Sequence, residues 1–307
     1  MYRKQIKTKS IFRKIRAIRK LSRWRQHVPY TLPLVVAGAL MATYKSDAEI
    51  DWRLLTVTLA NVLAMVFAFM INDVIDAPDD ALNPIKKKSN VISQGILSIK
   101  EANAISGGIF LLSAVLFLPG GLWSFFYGMS TLILSFLYSA PPFRLKARPI
   151  VDVLSHVLML SALLMLSSYF VYSTALSSAW WVIAAITFAS AYGQFYNQVD
   201  DFETDKLAGL NNTAMLLGKP NTQLAMMLSA VLTVICFVMA IVSGVFPLWL
   251  GWVLAVVIVT LALFQWDVDM RGNETDSSGM VQQPVLIAAN IVVFIWLLSN
   301  IGLIGIG

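Results

Sequence analysis

The chain has 307 residues, 58% hydrophobic and 13% charged, with a formal net charge of +6 and a mean hydropathy of +0.72. Soluble domains carry roughly 25% charged residues, so this balance excludes a soluble fold and identifies an integral membrane protein. The single cysteine, Cys236, lies inside an apolar run, which excludes a disulfide framework and a thiolate metal site.

The first 28 residues form a separate segment. Ile11, Phe12, Ile15, Ile18, Leu21 and Trp24 recur at helical spacing among Arg13, Lys14, Arg16, Arg19, Lys20, Arg23 and Arg25, and no small-residue cleavage site is evident. The pattern predicts a basic amphipathic helix lying in the membrane interface, drawn to anionic lipid. Lipid supplies the negative charge that such a stretch would otherwise seek, so no nucleic-acid partner is expected.

Residues 29–307 read as one transmembrane domain. Apolar runs near 29–45, 54–72, 101–118, 121–139, 151–174, 178–197, 221–243, 245–265 and 284–305 predict about nine transmembrane helices. Gly, Ser, Thr and Asn within several of them suit close helix packing in lipid. Pro119-Gly120-Gly121 makes the third-to-fourth connection very tight, and Pro141-Pro142 ends the fourth run.

The basic residues fix an orientation. Eleven precede residue 29, and Lys86, Lys87, Lys88, Lys100, Arg144, Lys146, Arg148, Lys206, Lys219 and Arg271 fall on the same side, leaving Lys45 and Arg53 for the other. The positive-inside rule puts the N-terminus in the cytoplasm and the C-terminus outside. The expected location is a multi-pass position in a plasma membrane of prokaryotic type.

Two segments repeat one pattern, Asn-x-x-x-Asp-x-x-x-Asp: Asn72, Asp76 and Asp80, then Asn197, Asp201 and Asp205. Residues four apart share a helix face, and Asp73 sits three before Asp76 on nearly the same stripe. Carboxylate and amide oxygens are hard ligands suited to Mg²⁺, which is commonly shared between a few carboxylates and substrate phosphates. A metal-bridged diphosphate is the natural guest. Negative charge at a helix C-terminus opposes the macrodipole, and ionisable groups at membrane depth mark function by default, so two copies of the spacing argue against simple solvated helix ends. Pro78 predicts local unwinding within the first motif; either Asp79 or Asp80 then faces the cavity, and the spacing favours Asp80.

Asn72-Asp73-x-x-Asp76-x-x-x-Asp80 resembles the first aspartate-rich motif of the UbiA superfamily of intramembrane prenyltransferases, and Asp201-x-x-x-Asp205 resembles the second. The likeness extends to Tyr138, Pro141, Pro142 and Lys146 after the fourth run, and to Lys206, Gly209, Thr213 and Ala214 after the second motif. It implies an all-α bundle around a central cavity opening to the cytoplasmic side. It also implies Asn72, Asp73, Asp76, Asp80, Asn197, Asp201 and Asp205 as Mg²⁺ and diphosphate ligands, with Asp73, Asp76, Asp201, Asp205 and Lys146 carrying catalysis. Gln198 stands where some members have a further aspartate. Lys86, Lys88, Tyr138, Arg144 and Lys206 are further candidates for holding the donor, the cations by donating to phosphate oxygens.

The chemistry implied is departure of diphosphate from an allylic carbon, with the charge neutralised by metal and cationic side chains and water excluded until a lipophilic acceptor attacks. Quinone precursors, carotenoids and other lipids all remain open as acceptors. A transporter of an anionic metabolite is a rival reading, as is a terpene cyclase that uses no external acceptor. His156, with Asp152 one turn earlier, is expected to make a structural polar contact between helices. Asp267, Asp269, Glu274 and Asp276 lie in a stretch that reads as a flexible solvated loop. The sequence leaves the oligomeric state open.

Overall fold

The computed structural model describes residues 2–44, 46–82, 84–176, 179–207, 209–262 and 279–305, and these are helices joined by short turns. The expected loop with Asp267, Asp269, Glu274 and Asp276 lies outside the described residues, as do Lys45, Asn83 and Arg271.

Helix α1 is Tyr2–Leu21 and α2 is Trp24–Thr43, separated by Arg23 in the left-handed region (φ 45°). The apolar stripe of α1 is split. Ala17 and Leu21 are buried against Val66, Met70, Val74 and Ala77, whereas Phe12 and Ile15 stay exposed. The C-terminal part of the segment therefore docks on α3, and Phe12 and Ile15 remain uncovered.

Helix α3, Trp52–Asp80, is the central rod, its first turn capped by the Asp51 carboxylate on the Arg53 amide at 3.0 Å. It runs helically through Pro78, with Ala81 N bonded to Ala77 O at 3.1 Å, so the expected unwinding does not occur. The proline sits in the last turn, where one missing donor costs a single backbone bond.

After the short α4, Pro84–Ser89, come α5, Ile99–Phe117, and α6, Leu122–Ser139. A 3₁₀ turn, Leu118–Gly120, joins the latter two as tightly as expected, with Gly121 at φ 87° supplying a conformation that L side chains avoid. The next rod, Val151–Tyr172, consists of α7, Val151–Val157, a π-helical turn, Leu158–Ala162, and α8, Leu163–Tyr172. Then follow α9, Trp180–Asp200; α10, Phe202–Leu207; α11, Thr213–Leu217; α12, Lys219–Val242; α13, Leu248–Ala262; and α14, Gly279–Asn300.

Among the described residues five rods are long and apolar enough to cross a membrane: Trp52–Asp80, Ile99–Gly120, Leu122–Ser139, Val151–Tyr172 and Lys219–Val242. The other apolar runs are also helical over their described residues; α13 and the apolar part of α14 are shorter there, and α9 carries polar groups along its length. On α9 these include Gln194, Asn197 and Gln198.

Close approach holds the bundle together. A Cβ at Gly38 of α2 would overlap the Ser168 hydroxyl and the Met165 carbonyl of α8, and Ser168 Oγ donates to Val35 O at 2.6 Å. Asn61 of α3 donates to Ser167 Oγ of α8 at 2.8 Å. Small residues and interhelical hydrogen bonds replace the hydrophobic drive that lipid removes. The result fixes α3 at the centre, with α9 across from it and packed on α7 and α12.

Candidate active site

Both acidic motifs sit at the end of a long helix, where carbonyl dipoles make negative charge unfavourable. The first is offset by cations from two other segments. Arg23 grips Asp73 with two donors, Nη2 to Oδ1 at 2.5 Å and Nε to Oδ2 at 3.3 Å, and Asp73 is only 3% exposed. The Arg23 guanidinium also stands 5.8 Å over the Phe69 ring, which stacks on His27.

Lys146, on the 3₁₀ turn Leu145–Ala147 that follows the cis Pro141-Pro142 bond, reaches Asp76 Oδ1 and Oδ2 at 2.7 and 2.6 Å and Asn72 Oδ1 at 2.9 Å. Ser139 Oγ donates to the same Asn72 oxygen at 3.0 Å. Burial pushes the Lys146 ammonium below the usual lysine range, and the charge of Asp76 opposes that shift. Arg144 lies 3.9 Å from Asp76 and 3.5 Å from Asp79.

Asp79 is 72% exposed, whereas Asp80 turns inward and accepts from Asn90 Nδ2 at 3.0 Å. The same Asn90 nitrogen bonds the Asp73 carbonyl at 2.7 Å, and its oxygen accepts from Ile92 N at 2.9 Å. Asn90 thereby staples the returning chain to the end of α3, and Ser93 Oγ adds a bond to Ala77 O at 2.8 Å.

The second motif straddles a joint. Helix α9 ends at Asp200, Asp201 has φ −81° and ψ 2°, and α10 follows. The four-residue spacing survives the joint because Asp201 N bonds Asn197 O at 2.9 Å and Asp205 N bonds Asp201 O at 2.8 Å. Asp205 accepts from Asn212 Nδ2 at 2.8 Å. Burial and the neighbouring Asp201 charge push its carboxyl up from the usual range, against the Asn212 bond and the Lys86 charge.

The chain that carries Lys146 is tied to the segment beside the second motif, where Ile150 N donates to Thr213 Oγ at 2.7 Å. Tyr138, near the end of α6, pairs with Gln194 of α9. Lys88 contributes its carbonyl to Lys20 Nζ at 2.9 Å and to Gln94 Nε2 at 2.7 Å, and its own side chain is exposed, as is that of Lys206.

Gln198 has a different task from its motif neighbours. It donates to Asp152 Oδ2 at 2.7 Å and accepts from Ala214 N at 3.1 Å. Asp152, fully buried, also takes Thr213 N at 2.8 Å and the Thr213 hydroxyl. This clamp fastens α7, α9 and α11 under the second motif. Asp152 therefore bonds Gln198 and Thr213 rather than His156, whose neighbour is the Tyr138 ring at 6.3 Å.

Among the described residues, no three His, Cys, Asp or Glu side chains converge into a preformed cation cage. Arg23 and Lys146 hold the first-motif acids instead. The donor set still suits a hard divalent cation, since it offers carboxylate and amide oxygens without sulfur or a clustered imidazole. Two clefts, of about 680 and 420 Å³, lie elsewhere: beside the end of α3, lined by Lys14, Pro78, Ser98 and Glu101, and between α3, α5 and α6, lined by Phe67, Ser106, Phe110 and Phe136.

Arg23, Asn90, Asn212 and the Asp152–Gln198–Thr213 clamp escape a reading of the sequence. Arg23 looks like one of many cations on an amphipathic stretch, and Asn90 joins the motif only through a loop return.

The UbiA prenyltransferase family profile matches residues 31–298. A lycopene elongase/hydratase from Haloarcula japonica is 31% identical over 168 residues, 51% of this chain and 52% of the relative, so the match spans about half of that protein. A lycopene elongase/hydratase from Corynebacterium glutamicum is 26% identical over 269 residues, covering 86% of this chain and 88% of the relative. Among solved structures, a UbiA homolog from Archaeoglobus fulgidus bound to GPP and Mg²⁺ superposes with a TM-score of 0.69 at 20% identity, over 92% of this chain and 99% of that one. The apo UbiA homolog from Aeropyrum pernix gives 0.67 at 16% identity, over 90% and 98%. Profile and fold agree with the paired aspartate motifs, and the chain belongs to the UbiA prenyltransferase family.

Proposed function

We propose that this protein is a Mg²⁺-dependent prenyltransferase that moves an isoprenyl group from its diphosphate to a lipophilic acceptor at the cytoplasmic side of a membrane. The observation that supports the reading is the tie between the two aspartate motifs: Lys146 holds Asp76 and Asn72 of the first, and the chain that follows it donates from Ile150 N to Thr213 Oγ at 2.7 Å, next to the Asn212 that holds Asp205 of the second. Lycopene elongase/hydratase relatives favour a polyene hydrocarbon as acceptor.

Asn72, Asp73, Asp76, Asp80, Asn197, Asp201 and Asp205 would hold the metal, directly or through water. Bound there, Mg²⁺ supplies charge neutralisation for a departing diphosphate. The chain's own cations do complementary work. Arg23, Lys146 and Arg144 face the carboxylates of the first motif and Lys86 follows it, and phosphate oxygens of a bound diphosphate would accept charge-assisted bonds from them. Tyr138 walls the space between the motifs, and the Asp152 clamp keeps α11 closed beneath them. The N-terminal helix adds membrane attachment through its exposed Phe12 and Ile15.

Comparative mass spectrometry of lipid extracts from cells with and without the protein tests the assignment. A prenylated product that disappears with the protein is the expected result. A cyclised or hydrolysed isoprenoid in its place would instead mark a terpene synthase, and an unchanged lipid profile would refute both.

A further inference from the structure

Beneath the two motifs the bundle buries a second polar group that metal and diphosphate binding do not use. On α7, His156 lies one turn deeper than Asp152; on α9, Gln194 lies three residues before Asn197; on α6, Tyr138 precedes Ser139, whose hydroxyl holds Asn72. One turn is about 5 Å, so these three side chains ring the level just below the anion-binding rim. Tyr138 pairs with Gln194, and the His156 ring stands 6.3 Å from the Tyr138 ring at 54°. The His156 Nδ1 atom is sealed from solvent and has no hydrogen-bond partner among the described residues.

The acid one turn away cannot serve it, because Asp152 is taken by Gln198, Thr213 and the Val153 amide. Val153, Val157 and Ala191, with Phe195 packed on them, form the apolar wall of this part of the bundle. An imidazole nitrogen without a partner in an apolar setting is costly to retain for structure alone. It is, however, a suitable proton acceptor.

We propose that His156 is the base that ends the transfer reaction, an inference that rests on the prenyltransferase reading above. With diphosphate held at the rim, the allylic carbon bonded to it enters the level of Tyr138 and His156. The carbon–oxygen bond breaks and its electron pair leaves with the diphosphate. A double bond of the acceptor supplies the pair for the new carbon–carbon bond, leaving a cation on the adjacent acceptor carbon. The His156 imidazole then takes a proton from the neighbouring carbon, and the released pair restores a double bond. One diphosphate and one proton leave for each bond made. Without the base, water captures the cation and an alcohol forms.

The test uses full-length protein in phospholipid vesicles containing lycopene, with labelled dimethylallyl diphosphate and Mg²⁺, and compares His156→Ala and His156→Gln with wild type. The readout is the double-bond-restored coupled product formed per diphosphate released. The expected result is a fall in that ratio of about 10²-fold, with alcohols making up the difference, and recovery of His156→Ala by added imidazole. A ratio equal to wild type, or product and diphosphate release falling together without imidazole rescue, would overturn the role of His156 alone. No diphosphate release from wild type with any isoprenyl diphosphate would overturn the prenyltransferase reading and this role with it.

Discussion

Arg23 and Asp73, fifty residues apart, form a two-donor ion pair that pins the junction of α1 and α2 onto the C-terminal part of α3. The aspartate is buried and the arginine about one-third exposed. Removing one partner of such a pair strands a charge out of water, at a cost of several kcal/mol when both ions are buried.

Arg23→Met is therefore expected to destabilise the protein by about 2 kcal/mol, discounted for the exposure of the arginine. Most of this should return in Arg23→Met/Asp73→Asn, which removes both charges. Thermal unfolding in detergent measures the difference. Equal loss in the single and double variants would show that the pair does not act as a pair.

Lys146 is the only cation described in two-oxygen contact with Asp76. Lys146→Met should lower the rate of diphosphate release by about 10²–10³-fold, the loss typical of one preorganised charge-stabilising donor, while Lys146→Arg keeps part of it. Steady-state kinetics on GPP and dimethylallyl diphosphate decide the matter, and a Lys146→Met enzyme within threefold of wild type would remove this residue from the site.

Asp76→Asn and Asp201→Asn each take a negative charge from the proposed metal-binding rims and are expected to leave the fold intact. Both are expected to abolish turnover, as is EDTA, with Mg²⁺ restoring only the wild type. Turnover indifferent to chelation would contradict a divalent cofactor.

Burial lowers the ammonium pKa of Lys146 and raises the carboxyl pKa of Asp205. The signs follow. A lowered lysine disfavours the charged form in the folded state, so its stability contribution is full above the unfolded pKa and lost as pH falls through the folded one. The cation needed for diphosphate disappears as pH rises through that lowered value. A raised aspartate contributes stability below its unfolded pKa and loses it as pH rises through the folded one, where the metal-binding anion appears. Activity is therefore expected to fall on the alkaline side before ordinary lysines titrate. Lys146→Arg should move that limb upward, since a guanidinium stays charged. A limb that does not shift in Lys146→Arg would assign it to another group.

Asp152→Ala leaves Gln198 and Thr213 without their shared acceptor in a sealed interior, and a loss of about 3 kcal/mol is expected. Circular dichroism melts check it. A melt like that of wild type would mean that α11 is held by packing alone.

The sequence makes the acidic motifs legible because a four-residue repeat survives folding wherever backbone bonds stay helical, even across the joint at Asp201. It makes Lys146 legible through its place in the loop after Pro141-Pro142. Arg23 and Asn90 were illegible because their partners are set by how α1 and the 90–93 return pack on α3, and no local spacing records that. Nine apolar runs were likewise visible, and among the described residues five rods meet the length and hydropathy of a span; α9, which helps build the site, carries Gln194, Asn197 and Gln198 among its apolar residues. Pro78 misled for a related reason: a proline breaks a helix interior, but this one sits in the last turn, and α3 continues through it to Asp80.

The staple at Asn90 and the joint at Asp201 give the mouth of the site two unlike jaws. The α3 jaw is braced by its own returning chain, through the buried Asn90 amide on Asp80 and on the Asp73 carbonyl. The α9–α10 jaw is braced from further along the chain, through Asn212 on Asp205 and the Thr213–Asp152–Gln198 clamp, so a single substitution loosens one rim and leaves the other seated.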